Sequence, residues 1–287
     1  MIPGSFAYHQ PDSLEEALSL LSRFGDEARV LAGGHSLIPM MKLRLAAPEQ
    51  LVDLQGVEGL SGITEADGAL EIGAMTSQAE LVGSETAARL CPLLRETALV
   101  IADPQVRYCG TIGGNVANGD PGNDMPAVMQ CLGADYVLRS AEGERSLPAR
   151  DFYEAAYFTA LAEGEILTKI RVPIPPAGHG HAYEKQKRKV GDYATAAAAV
   201  VLTMVAGRCE SASIALTNVA DTPLHAEAAS AALVGTAVDQ AAIDSAVSAA
   251  EAITAPASDG RGSADYRTKV AGVMVRRAIQ RALARAG

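Results

Sequence analysis

Ala32-Gly33-Gly34-His35-Ser36 and Thr111-Ile112-Gly113-Gly114-Asn115 decide how this chain is read. Each holds a Gly-Gly pair followed by polar side chains, and each comes after a stretch that reads as buried structure. Without Cβ atoms, the backbone of such a pair reaches positive φ and lets a ligand approach closely. Consecutive N–H groups in the turn converge into a nest for anionic oxygens. One pair alone is most simply a tight turn. Two of them, far apart in sequence and both flanked by hydroxyl and amide donors, are expected to form two walls of one diphosphate site. Positive φ is expected at Gly33 and Gly114.

Outward from the first loop, residues 13–24 read as an amphipathic helix, with Ser13 and Glu16 as a capping box and Gly25 as the stop. A strand at Arg29–Ala32 leads into the loop. A helix over Leu37–Leu45 follows, and Ser36 at its start is placed to offer a hydroxyl and an N–H to a phosphate. His35 reads as structural or hydrogen-bonded. With a strand at Gln50–Leu54, residues 1–56 form a small α/β unit.

Around the second loop the pattern is α+β, over residues 57–176. Leu60–Ile63 and Leu70–Gly73 flank an Asp67-Gly68 turn and read as a hairpin. Thr76 and Ser84 are candidate helix caps, the second helix running through Leu90, Leu94 and Leu99. Past the loop, Asn118, Asn123 and Asp124 continue the polar run into a short helix ending at Leu132. Asp124 either caps that helix or accepts hydrogen bonds from a sugar or ribityl hydroxyl. Tyr136–Leu138 and Ile166–Val172 read as strands. Pro173, Pro175 and Pro176 mark a boundary. Residues 177–287 then carry a hairpin turning at Ala206-Gly207 and three alanine-rich helices. The last, from about Ser263 to Ala286, is basic through Arg267, Lys269, Arg276, Arg277, Arg281 and Arg285, with Arg261 just before it. It is a candidate docking face for an acidic partner or, equally, a solvated surface helix.

Composition narrows the class. Of 287 residues, 48% are hydrophobic and 20% charged, which suits a folded globular chain. A net charge of −10, four phenylalanines and no tryptophan argue against nucleic-acid binding. Cys91, Cys109, Cys131 and Cys209 form no C-x-x-C pair, which argues against a zinc ribbon or an iron–sulfur cluster held by this chain. Reduced thiols are expected. No signal peptide is visible, and the longest apolar stretch, Ala194–Ala206, is too short to span a bilayer. A cytoplasmic location is expected.

Both loops, together with Ile101–Arg107, Asn118–Pro126 and Gly191–Ala194, resemble the flavin subunits of the molybdenum hydroxylases, the xanthine dehydrogenase family. The resemblance covers essentially the whole chain. It implies an α+β, PCMH-type (VAO-like) FAD-binding fold with a small N-terminal α/β domain, a larger middle domain and a C-terminal α+β domain. FAD would lie noncovalently between the first two, its pyrophosphate held by residues 32–36 and 111–115. The resemblance places Ile101, Asn118 and Asp124 at the cofactor, with Leu167 beside the flavin, Lys185 near its ring and Tyr193 over one ring face. The plain alternatives are a helix cap for Asp124, a core leucine, a solvated lysine and a half-buried tyrosine. No catalytic or metal-ligating residue is assigned to this chain.

By the same resemblance, a large subunit carries the molybdenum cofactor and a small one two [2Fe–2S] clusters, assembled as a dimer of heterotrimers. The flavin chain passes electrons from the nearer cluster through FAD to an external acceptor such as a quinone. Ile101-Ala102-Asp103-Pro104 is the candidate wall between flavin and cluster, and peripheral association of the complex with a membrane fits the same pattern. Met1–Phe6 and Thr254–Gly262 are most similar to the branch that oxidises carbon monoxide. Branches acting on nicotine, purines or aldehydes are alternatives, as are a self-sufficient flavin oxidase of the same fold and a nonredox nucleotide-binding module.

Overall fold

The computed structural model describes residues 2–287, organised by three sheets and a two-stranded ribbon. In the first sheet, β1 (Ala7–His9) and β2 (Ala28–Leu31) flank β3 (Gln50–Asp53), all parallel. The crossover helix α1 (Leu14–Phe24) buries Ala17, Leu18 and Leu21 against this sheet and stops at Gly25, φ 48°. Ser13 caps α1, but the Glu16 carboxylate returns to the N–H of Asp12 at 3.1 Å, so the capping box is one residue wider than expected. Helix α2 (Leu37–Lys42) ends earlier than its apolar run suggests, because Arg44 takes a φ of 62°.

Next comes the hairpin of β4 (Ile63–Ala66) and β5 (Ala69–Gly73), closed by Asp67 and Gly68 at φ 49° and 73°. Two positive φ values are what a two-residue hairpin turn requires. The first strand starts at Ile63 rather than Leu60, since Leu60 is buried in the N-terminal cluster. Ser77, not Thr76, caps α3 (Gln78–Gly83), in a full capping box with Glu80. The Thr76 hydroxyl bonds the backbone of Gly62 instead. The single helix expected through Leu99 is two, α4 (Glu85–Leu90) and α5 (Pro92–Val100), because Pro92 opens a new helix at its first position.

A helix absent from the sequence reading, α6 (Pro104–Cys109), starts on an Asp103 cap. The second glycine loop is itself the first turn of α7 (Ile112–Ala117), capped by Thr111. Then follow α8 (Asp124–Leu132), β6 (Asp135–Ser140), β7 (Gly143–Pro148), the ribbon of β8 (Tyr153–Ala155) and β9 (Phe158–Thr159), and β10 (Ile166–Pro173). The sheet is ordered β4-β5-β10-β6-β7 and antiparallel throughout. Its face packs on α7 and α8, with α5 behind them on α8, in one core around Leu94, Ile112, Met125 and Met129.

The third sheet is ordered β11 (Gly180–Gln186), β12 (Ala196–Val205), β13 (Arg208–Thr217) and β14 (Leu224–His225). Ala206 and Gly207, φ 49° and 77°, form the expected hairpin turn. Ala196–Ala199 are fully buried, and their small side chains let α8 approach one face of β12 and α11 (Ala264–Leu283) the other. Between them in sequence lie α9 (Glu227–Ala231) and α10 (Gln240–Ala252), so the three expected helices are present. The four cysteines are free thiols.

The basic docking face is not what the last helix presents. Lys269 pairs with Glu251, Arg276 with Asp244, Arg285 with Glu96, each at 2.6 Å, and Arg281 with both Glu96 and Glu184. Arg261 pairs with Asp259 at 2.9 Å, while Arg267 is buried and donates to the carbonyls of Thr195, Ala257 and Asn218. These cations neutralise the chain's own carboxylates, and only Arg277 of the set is exposed without an ion pair among the described residues. No helix among the described residues is long and apolar enough to cross a membrane.

Candidate cofactor-binding cleft

The first glycine loop, the start of α7, the end of α5 and residues of β10 and β11 surround a cleft of about 1050 Å3. That is the upper end of the range for small-molecule and cofactor sites, roughly 300–1,000 Å3. The structure brings Ala32, Gly33, Gly34, His35, Ser36, Ile101, Thr111, Gly113, Gly114, Asn115, Asn118, Asp124, Leu167, Lys185 and Tyr193 into its wall. Ile112 is the exception. Its side chain is fully buried in the middle core, and its N–H donates to the carbonyl of Thr76.

The two loops meet, but they are not equivalent. A Cβ on Gly33 would lie 2.1 Å from the Cys109 carbonyl oxygen, so only glycine lets these backbones touch. Positive φ belongs to Gly34 (73°) and not to Gly33 or Gly114. Gly33 is required for close packing, and Gly114 lies in a right-handed helix, where a Cβ would come 2.9 Å from the Thr111 hydroxyl. In the first loop the N–H groups of Gly33, Gly34, His35 and Ser36 have no acceptor among the described residues. They are the donors that the expected nest requires. Ser36 leaves its hydroxyl unused for capping.

In the second loop the N–H groups are already engaged, Gly113 with Ala74 O at 2.8 Å, Gly114 with Thr111 Oγ1 at 3.0 Å and Asn115 with Thr111 O at 3.1 Å. The second nest therefore does not exist. The Ala74 and Thr76 carbonyls and the Thr111 cap have taken its donors, and what this wall offers is side chains, the Thr111 hydroxyl and the amide groups of Asn115 and Asn118. Asn115 Oδ1 accepts from Met125 N at 3.2 Å, which leaves its Nδ2 as the donor.

Asp124 does not cap α8; it is the first helical residue, and its carboxylate is buried. Oδ2 accepts from Lys185 Nζ at 2.7 Å and Oδ1 from the Tyr183 hydroxyl at 2.6 Å. Lys185 is correspondingly buried, with 3% of its side chain exposed, not solvated. Burial first, then the Asp124 charge, raises the Tyr183 phenol far above its ordinary range, so Tyr183 stays a hydrogen-bond donor. Tyr183 gave no sequence signal because β11 itself was missed.

Leu167 is buried at the bulge where β10 changes register against β6. Ile101, also buried, follows the last turn of α5, and its carbonyl accepts from Arg107 at 2.8 Å. Tyr193 is 41% exposed at the cleft edge, with Arg261 5.8 Å from its ring centre. Burial and then Asp120 push its phenol pKa upward. Gln78 also lines the cleft; it is 2% exposed, and neither amide atom has a partner. Nothing in the sequence singled it out.

Free backbone N–H groups, uncharged hydroxyl and amide donors, an unsatisfied buried amide and a partly apolar cleft fit FAD, whose diphosphate needs donors and whose ring needs apolar walls.

Comparison with known proteins agrees with this geometry. Residues 181–282 match the family described as the CO dehydrogenase flavoprotein C-terminal domain. The medium chain of carbon monoxide dehydrogenase from Afipia carboxidovorans is 66% identical, over 100% of this chain and 99% of the relative. The corresponding chain from Hydrogenophaga pseudoflava is 49% identical, over 99% of each. A crystal structure of cyanide-inactivated Cu,Mo-CO dehydrogenase superimposes with a TM-score of 0.99 at 66% identity, covering 100% of both chains. Residues 4–175 match the FAD binding domain in molybdopterin dehydrogenase, and the chain belongs to that family of flavoprotein oxidoreductase subunits.

Proposed function

We propose that this chain is the flavin subunit of a carbon monoxide-oxidising molybdenum hydroxylase. It accepts electrons from a [2Fe–2S] cluster on a small partner subunit and delivers them to an acceptor such as a quinone. A large partner subunit holds the molybdenum cofactor and selects the substrate, and the assembly is a dimer of heterotrimers in the cytoplasm, at the inner membrane face when it delivers electrons to a quinone. The observation that carries this reading is that the free N–H groups of Gly33–Ser36 and a buried Asp124–Lys185 pair line one cleft. The identity of 66% to a carbon monoxide dehydrogenase medium chain supports this branch over those acting on nicotine, purines or aldehydes.

Bound FAD supplies the redox chemistry. The chain's own residues bind, shield and orient. The first loop holds the diphosphate with backbone donors, and Thr111, Asn115 and Asn118 add side-chain bonds. Asp124 and Lys185 set a fixed, internally neutral polar wall. Leu167 and Ile101 exclude water, and Tyr193 covers the exposed side. Ile101–Pro104 forms the wall toward the partner's cluster. The cleft lies between the proposed domains 1–56 and 57–176, with Lys185 and Tyr193 reaching in from 177–287.

Carbon monoxide added without oxygen to the complex purified with its partners should bleach the flavin absorbance. The same addition to the isolated chain should leave it unchanged, and bleaching there would favour a self-sufficient oxidase. Acid precipitation should release free FAD into the supernatant, because the exposed His35 has no need of a covalent link. Flavin retained in the pellet would establish attachment.

A further inference from the structure

Among the described residues, Gln78 alone combines a place in the cleft wall with buried polar atoms that lack a partner. Its Nε2 and Oε1 are both unpaired, and the residue is 2% exposed. A buried amide left unpaired is destabilising. Packing gives no reason for it, since a leucine or methionine would fill similar volume.

The backbone shows what Gln78 faces. Its N–H donates to Gly110 O at 2.9 Å, and the preceding Ser77 forms a β-bridge with Thr111. Gly33 packs on the same Cys109–Gly110 segment. Gln78 therefore stands where the two glycine loops touch. The capping box of Ser77 and Glu80 fixes the start of its helix. Its soft terminal torsions leave the amide free to turn toward a ligand.

We propose that Gln78 is an FAD ligand, with Nε2 donating to the diphosphate and Oε1 accepting from an adjacent ribose hydroxyl. The inference rests on the FAD reading above. An amide offers both a donor and an acceptor without charge, which suits a segment holding anionic oxygens beside hydroxyl groups. A carboxylate in its place would repel the diphosphate.

The test uses Q78M, which keeps the volume and removes both polar atoms, in the complex with its partners. FAD is removed and titrated back by fluorescence, with ADP as a displacing probe because it carries the diphosphate, ribose and adenine without the flavin. Both affinities should weaken roughly tenfold, while the Tm of the FAD-free complex holds or rises. Q78E should weaken both further. Wild-type affinity of Q78M for both ligands would overturn the assignment, as would weakened FAD with unchanged ADP. A wild-type complex that takes up no FAD would instead sink the underlying FAD reading.

Discussion

Replacing Lys185 with methionine should destabilise the chain by roughly 3–5 kcal/mol, the cost of leaving one partner of a buried ion pair uncompensated. Asp124 would keep its bond from Tyr183 but lose the only cation within 4 Å of it among the described residues. Its side chain is 5% exposed, so water does not take over. Urea unfolding should show a lower midpoint at an unchanged slope, and flavin content should fall with it. The double variant Lys185→Met/Asp124→Leu separates the two effects. Removing both charges should return most of the stability, since apolar replacements of buried pairs are often neutral. It should not return the flavin if the pair serves the cofactor. A single variant as stable as the parent would show that the pair is solvated in solution.

Gly33→Val should reduce FAD occupancy at least tenfold. The added Cβ meets backbone at 2.1 Å and 2.8 Å, and backbone cannot swing aside as a side-chain end can. The two loops must separate, at an overpacking cost of roughly 1–3 kcal/mol. That separation spreads the nest. Gly114→Ala is the contrasting case, because its nearest obstacle is the Thr111 hydroxyl at 2.9 Å and alanine favours the helix it would join. Flavin released by acid, measured against protein, reads both variants. Full occupancy in Gly33→Val would mean that the contact between the loops is dispensable.

Local chemistry was legible and long-range chemistry was not. Ser13, Ser84, Asp67-Gly68 and Ala206-Gly207 announce caps and turns, because the signal and its effect lie within four residues. The glycine pairs announce a cofactor loop, yet their different roles depend on partners distant in sequence. Gly33 answers to Cys109, and the donors of residues 112–113 answer to Ala74 and Thr76. Strand β11 reads Gly-His-Ala-Tyr-Glu-Lys-Gln, with too little hydrophobic alternation to declare itself. Its buried residues are covered only because β12 and helices from both sides close over them, and with β11 went Tyr183, which donates to Asp124. The basic stripe on α11 misled for the same reason: its carboxylate partners lie on α5, α10 and β11, far from it in sequence.

Glu96 ties α5, whose end forms part of the cleft wall, to Arg281 and Arg285 near the chain's last residue. A growing polypeptide leaves the ribosome at about 5–20 residues per second, so these partners emerge roughly 10–40 s apart. Within that interval the second glycine loop and then Lys185 are made, while the clamp on α5 is still to come. The segment that carries α5 is therefore not braced until the last helix is made. A nascent chain stalled short of its last helix should therefore hold flavin more weakly than one that carries Arg281 and Arg285.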